Sequence, residues 1–361
     1  MNADLLTPVL RTPERLAAYD PAQWDALLRQ ARAALLLPRL ALLADEAGVT
    51  VSLPAPVAAH LRAARTLARK QAQSVRWEVK CIRQALQDLP VPLILLKGAA
   101  YLLAGLRAGR GRLFADVDIL LPKSLLGQAE NDLMLDGWTM SHHNAYDQRY
   151  YRRWMHELPP LKHALRESVL DVHHAILPET SRLRFSAEPL FDAARPLPGW
   201  ESVRVLAPAD MVLHSAVHLF SGEFEHGLRD LADLDSLLRE FASLQFWLDL
   251  TARADALGLG RPLYYAVTHL GSCFATPVPR EVVEHVGRHR PSPAVDALMR
   301  AMHARLFRPG PPGRPRTGKT LARQGIFVHA HWLKMPLALL LYHSIYKSAI
   351  APWRRDGSGS L

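Results

Sequence analysis

The sequence predicts a mixed α/β fold, a sheet-bearing core flanked by N-terminal helices and followed by a C-terminal helical domain. Three observations carry this expectation. Residues 91–96 (VPLILL) form a short apolar run beside two prolines, as suits a central strand. Residues 116–121 (DVDILL) form a second run before Pro122, opening with two aspartates one residue apart. On both sides of this region apolar residues recur at spacings of three and four, the period of amphipathic helices.

In chain order, residues 21–43 and 54–89 read as helices interrupted around Pro38 and Gly48. Trp24 and Trp77 on these helices are expected to serve packing. After the strand at 91–96, Lys97-Gly98 opens a helix over 99–106, and a basic loop leads to the Asp116 strand. A glycine at such a turn lets backbone N–H groups approach a phosphate. Residues 123–136 form an amphipathic helix closed by Gly137. The segment 138–175 is expected to hold strands, including 157–165 and 168–176. The second places Val169, Asp171 and His173 on one face. Helices are expected at 209–221, 228–241, 244–257 and 261–274. The Pro/Gly/Arg-rich stretch 309–318 reads as a loop, and the apolar stretch 326–353 as a docked terminal helix in preference to an interfacial one. The expected division is residues 1–90, 91–206, 207–307 and 308–361.

A chain of 361 residues with 49% apolar content has ample material for a buried core. The net charge of +10 favours a polyanionic partner, an NTP or RNA, although the excess of arginine is also what compositional bias would give. Cys81 and Cys273 lack metal-ligand spacing, and two thiols in a chain of this length fit a reducing cytoplasm. Neither a signal peptide nor a spanning segment is evident.

Asp116 and Asp118 share one strand face, and carboxylates that close repel unless a cation lies between them. Mg²⁺ is the usual answer where phosphates are also present. At this point the sequence resembles a known family. LLKGAA, an arginine shortly before DVD, then LLP, an amphipathic helix and DGW are similar to the uncharacterised bacterial branch of the nucleotidyltransferase superfamily, with its DNA polymerase β-like fold. The resemblance extends through HSAVHLFSGEFEHGLRDLADLDSLL and covers residues 91–257. This chain carries Lys97-Gly98 where many members have Gly-Ser or Gly-Gly.

The resemblance implies a nucleotidyltransferase-type core with Asp171, in D-V-H-H, as third carboxylate beside Asp116 and Asp118. These three would hold Mg²⁺ or Mn²⁺ for in-line attack on the α-phosphorus of an NTP. Lys97 and Gly98 would cradle the β- and γ-phosphates, and Arg112 would neutralise the leaving pyrophosphate; Arg107 and Arg110 are weaker candidates. His218, Arg229 and Asp233 would line the cleft from the helical side. The acceptor is open: a small molecule, an RNA 3′ end or a protein hydroxyl. Rival readings are a catalytically degenerate nucleotide-binding protein, a toxin-like transferase acting on RNA, and peripheral membrane attachment through residues 335–353.

Two other patterns carry less. GRPRTGKT at 313–320 fits the P-loop formula, but FRPGPP before it cannot be a central strand. His214 and His218, one helical turn apart, lack the glutamate of H-E-x-x-H and read as buried polar groups.

Overall fold

A computed structural model describes residues 3–140, 145–222, 224, 226–309 and 317–336. Helices Leu6–Arg11 (α1), Pro21–Ala33 (α2), Leu37–Glu46 (α3) and Ala55–Ala85 (α4) precede the sheet. Asp20 starts α2 with a reciprocal capping box to Gln23, and Pro21 supplies the fixed φ of the first turn. The chain breaks before α3 at Leu35, which adopts a positive φ of 56°; Pro38 then sits in the first turn of α3. The interruption thus falls three residues earlier than the proline suggested, since proline opens a helix as readily as it ends one.

The core follows as Leu93–Leu95 (β1), Lys97–Leu103 (α5), Val117–Leu120 (β2), Leu126–Leu135 (α6), Trp138–Met140 (β3), Ala145–Trp154 (α7), Leu161–His163 (β4), Val169–His173 (β5), Glu188–Ala193 (α8), Arg195–Pro196 (β6) and Val203–Val205 (β7). These strands form one mixed seven-stranded sheet in the order β3-β4-β5-β2-β1-β7-β6. At its centre β1 runs antiparallel to β2 and parallel to β7, while β2 runs parallel to β5. The central strands are buried on both faces, which explains their near-continuous Leu, Ile and Val content. The segment 138–175, for which strands were expected, also contains the helix α7.

The C-terminal part comprises Pro208–Ser221 (α9), Gly227–Phe241 (α10), Leu244–Ala256 (α11), Gly260–Phe274 (α12), Arg280–Gly287 (α13), Pro293–Phe307 (α14) and Thr317–Lys334 (α15). Helix α9 is buried on nearly every side, against α10, α11, α12 and α15, in keeping with its apolar circumference. The end of α15 is docked: the Leu333 carbonyl accepts from the Arg182 N–H and the Lys334 carbonyl from the Thr180 hydroxyl. Thr317 and Gly318 belong to α15 and not to the preceding loop. Of the P-loop-like stretch 313–320, residues 317–320 open α15 and the rest lie outside the described residues, as does the 335–353 segment beyond residue 336.

One continuous apolar core joins the N-terminal helices, the sheet and α9 to α14. Trp24 is fully packed in it, but Trp77 is 54% exposed, with the Arg166 guanidinium over its ring. Packing therefore accounts for Trp24 and not for Trp77. Among the described residues no helix is long and apolar enough to cross a membrane.

Candidate active site

Side chains two apart on a strand share a face, and parallel pairing in register sets equivalent residues of neighbouring strands side by side. The register between β2 and β5 pairs Asp118 with Asp171 and Leu120 with His173. Asp116 lies just before β2. The three carboxylates named from the sequence therefore meet at one cleft of about 420 Å³. Its walls also include Lys97, Arg112, Glu157, His173, His214, His218, Arg229 and Asp230.

Two groups of potential ligand atoms converge here within 4.8 Å of one another: Asp118, Asp171 and His173, and His156, Glu157 and His173. His173 Nε2 is 3.0 Å from Asp118 Oδ1, and its Nδ1 is 3.1 Å from Glu157 Oε2, without the alignment of a hydrogen bond. Glu157 is brought to the site by an isolated bridge to His173 beside β5. Lys97 Nζ reaches the same Asp118 Oδ1 at 2.6 Å. Lys97 adopts a positive φ of 44°, a conformation uncommon for a side-chain-bearing residue, and so turns the chain sharply from β1 into α5.

The electrostatics follow from this crowding. Burial alone would raise the Asp118 carboxyl; the Lys97 ammonium and the His173 bond overcome it and hold Asp118 well below the usual carboxylate range. Asp171 has no such partner. Burial, reinforced by the charges of Asp118 and Glu157, pushes it up to about 7. Asp171 Oδ1 is buried without a hydrogen-bond partner. Asp116 is raised by burial and by Asp118. Burial keeps His156, His214 and His218 far below the usual histidine range, so they face the cleft as neutral imidazoles.

Arg112 and Gly98 form a second unit. The Arg112 guanidinium lies over Gly98, where a Cβ would come 2.0 Å from Nη1, and Arg112 Nε donates to Asp233 Oδ2 at 3.0 Å. Arg39, from α3, donates to the other oxygen of Asp233 at 2.7 Å. Asp233 is thus buried between two arginines, tying α3, the loop before β2 and α10 together. Gly98 does not itself line the cleft; it makes room for the arginine that does. Helix α5 has only seven residues, too short for a developed macrodipole.

A model of the family described as uncharacterised nucleotidyltransferases matches residues 20–275. The chain belongs to this family. No curated protein matches it. Within the nucleotidyltransferase family match lie all the carboxylates of the cleft, Lys97, Gly98 and Arg112, together with His218 and Arg229, which were expected at the wall and stand there. Asp233 was expected at the wall as well; it acts instead behind it, through Arg112. Sequence reasoning missed His156, Glu157 and Asp230, and also Lys334, which reaches the cleft from the end of α15, beyond the matched segment.

Proposed function

We propose that this chain is a metal-dependent transferase that moves the NMP unit of an NTP to a hydroxyl acceptor and releases pyrophosphate. The observation that carries this reading is the register of Asp118 beside Asp171, with Asp116 next to them and Asp171 Oδ1 buried and unpartnered. A buried carboxylate oxygen with no donor is the kind of group a cation satisfies, and an oxygen-rich donor set suits the hard ions Mg²⁺ and Mn²⁺. Asp116, Asp118 and Asp171 would hold them. Bound there, such ions supply Lewis-acid neutralisation of the triphosphate and of the attacking oxygen.

The remaining chemistry belongs to the chain's own residues. In the transfer the acceptor oxygen forms a bond to the α-phosphorus, the bond from that phosphorus to the β-phosphate oxygen breaks, and the hydroxyl proton must leave. Asp171, ionised once a cation is bound beside it, is the carboxylate suited to take it. His173, clamped between Asp118 and Glu157, fixes the orientation of the Asp118 carboxylate. Lys97 and Arg112 place positive charge at the cleft for the β- and γ-phosphates and the departing pyrophosphate. Arg112 is held for that task by Asp233 and by the space over Gly98.

One observation favours a second reading. Lys97 sits on the Asp118 oxygen as a built-in counter-ion, an arrangement that would serve a protein binding nucleotide without metal. The deciding experiment incubates the protein with the four α-³²P-labelled NTPs and Mg²⁺ or Mn²⁺ in cell extract, beside Asp116→Asn/Asp118→Asn. Label on an RNA, protein or small-molecule fraction with wild type alone supports transfer and names the acceptor class. Nucleotide binding unchanged by EDTA, with no label transferred, would replace it with the metal-free reading.

A further inference from the structure

Remote from the catalytic carboxylates in the sequence, three metal-ligating side chains meet where α11, α12 and α13 come together. Asp255 lies in the last turn of α11, His285 in the last turn of α13, and His289 in the turn just after it. His285 Nε2 is 2.8 Å from Asp255 Oδ2, and His289 Nε2 is 2.8 Å from Asp255 Oδ1. The three ligand atoms lie within 4.8 Å of one another. None of these residues lines the catalytic cleft.

Two histidines four residues apart present their ring nitrogens on one side of a helix, the spacing by which helical zinc sites offer two ligands. For His289 to do so after the helix has ended, the turn must continue its path, and the His289 N–H donates to the Val286 carbonyl at 3.0 Å. The ring also needs space beneath it. It lies against Gly260, the first residue of α12, where a Cβ would stand 2.4 Å from its atoms. A third helix is therefore shaped to seat this imidazole. Both Nε2 atoms converge on one carboxylate, and the rings, centroids 6.4 Å apart, are not stacked on each other.

We infer that Asp255, His285 and His289 form a zinc site that clasps α11 to α13, independent of the transfer reaction. Two imidazoles and one carboxylate are a borderline donor set, suited to Zn²⁺ and poorly matched to Mg²⁺. Side-chain exposures of 44%, 26% and 34% leave the fourth tetrahedral position to water. Zn²⁺ would lie between the three groups, each imidazole binding through Nε2 as the neutral ring with its single proton on Nδ1, and Asp255 binding as the carboxylate.

The test titrates metal-stripped full-length protein with Zn²⁺ by calorimetry and with Co²⁺ by visible absorption, for wild type, His289→Gln and Asp255→Asn. The catalytic cleft also contains histidine and carboxylates, so the quantity read is the difference in stoichiometry between wild type and variant. Wild type should bind one more Zn²⁺ equivalent than either variant at micromolar free metal, or the affinity of one site should fall more than about 10-fold. The difference spectrum of wild type minus either variant should show a tetrahedral Co²⁺ d–d band. Thermal unfolding of metal-free wild type and variants, run alongside, checks that all are folded. Equal stoichiometry and equal Co²⁺ spectra in folded wild type and variants would overturn the inference, leaving the cluster a pair of His–Asp contacts. Loss of NTP transfer in the Asp116→Asn/Asp118→Asn protein, with this zinc equivalent retained, would separate the two sites.

Discussion

Gly98 and Arg112 touch because one of them has no side chain: the guanidinium occupies the volume a Cβ at position 98 would need. Gly98→Ala should push Arg112 off Asp233, leaving the latter with Arg39 alone. The expected loss is about 1–3 kcal/mol of stability from overpacking, together with weakened triphosphate binding. Urea unfolding and NTP affinity, compared with Arg112→Met, check this; an alanine variant with both unchanged would show that the arginine has another place to go.

Asp118 is the sole carboxylate that Lys97 contacts as an ion pair among the described residues, and both are largely buried. Asp118→Asn should lower transfer on the order of 10²–10³-fold or more. It should also destabilise the fold by about 3–5 kcal/mol, because a buried ammonium is left without its counter-ion. Adding Lys97→Met should return much of the stability and none of the activity. Stability and turnover measured across this double-mutant cycle separate the structural role of Asp118 from its chemical one.

Asp171 titrates far above the unfolded carboxylate value, to about 7. Between pH 4 and pH 7, roughly, the unfolded chain has lost this proton while the native chain keeps it, so its contribution to stability falls as pH rises through that window. Above it both states are ionised and the slope ends. Mg²⁺ binding should therefore release a proton and raise the melting temperature more at pH 8 than at pH 6. Melting curves with and without Mg²⁺ at both pH values, for wild type and Asp171→Asn, read this directly; the variant should lose the difference.

His303 is fully buried among Phe220, Phe224, Tyr265, His269 and Phe307, and neither ring nitrogen has a partner. Burial pushes it down to about 2. The unfolded chain binds a proton there below pH 6.5, roughly, and the native chain does not, so stability falls as pH drops through that value. His303→Phe should add about 1–3 kcal/mol by removing unpaired polar atoms and flatten the acid limb of the stability curve, as chemical denaturation from pH 4 to pH 8 would show.

Strand alternation is a rigid code, so Asp116 and Asp118 had to share a face and Asp171 had to share one with His173; that Asp171 joins the other two was implied by the family resemblance through D-V-H-H. The four helices from α9 to α12 were legible from period and glycine punctuation. The helix at 145–154 was not foreseen: AYDQRYYRRW is rich in aromatics, which favour strands over helices. Glu157 carries no periodic signal; it arrives through a single bridge outside any regular strand. Lys334 and the Arg39–Asp233–Arg112 link are products of long-range packing, which no local window contains.

The docking of α15 onto residues 180–182 carries Lys334 to the cleft, although the family match stops at residue 275. The matched segment thus supplies the carboxylates of the cleft, whereas part of its rim, at Lys334, comes from sequence beyond the match. If the cleft transfers nucleotides as proposed, a change at the end of α15 would reshape its rim at Lys334 without touching Asp116, Asp118 or Asp171.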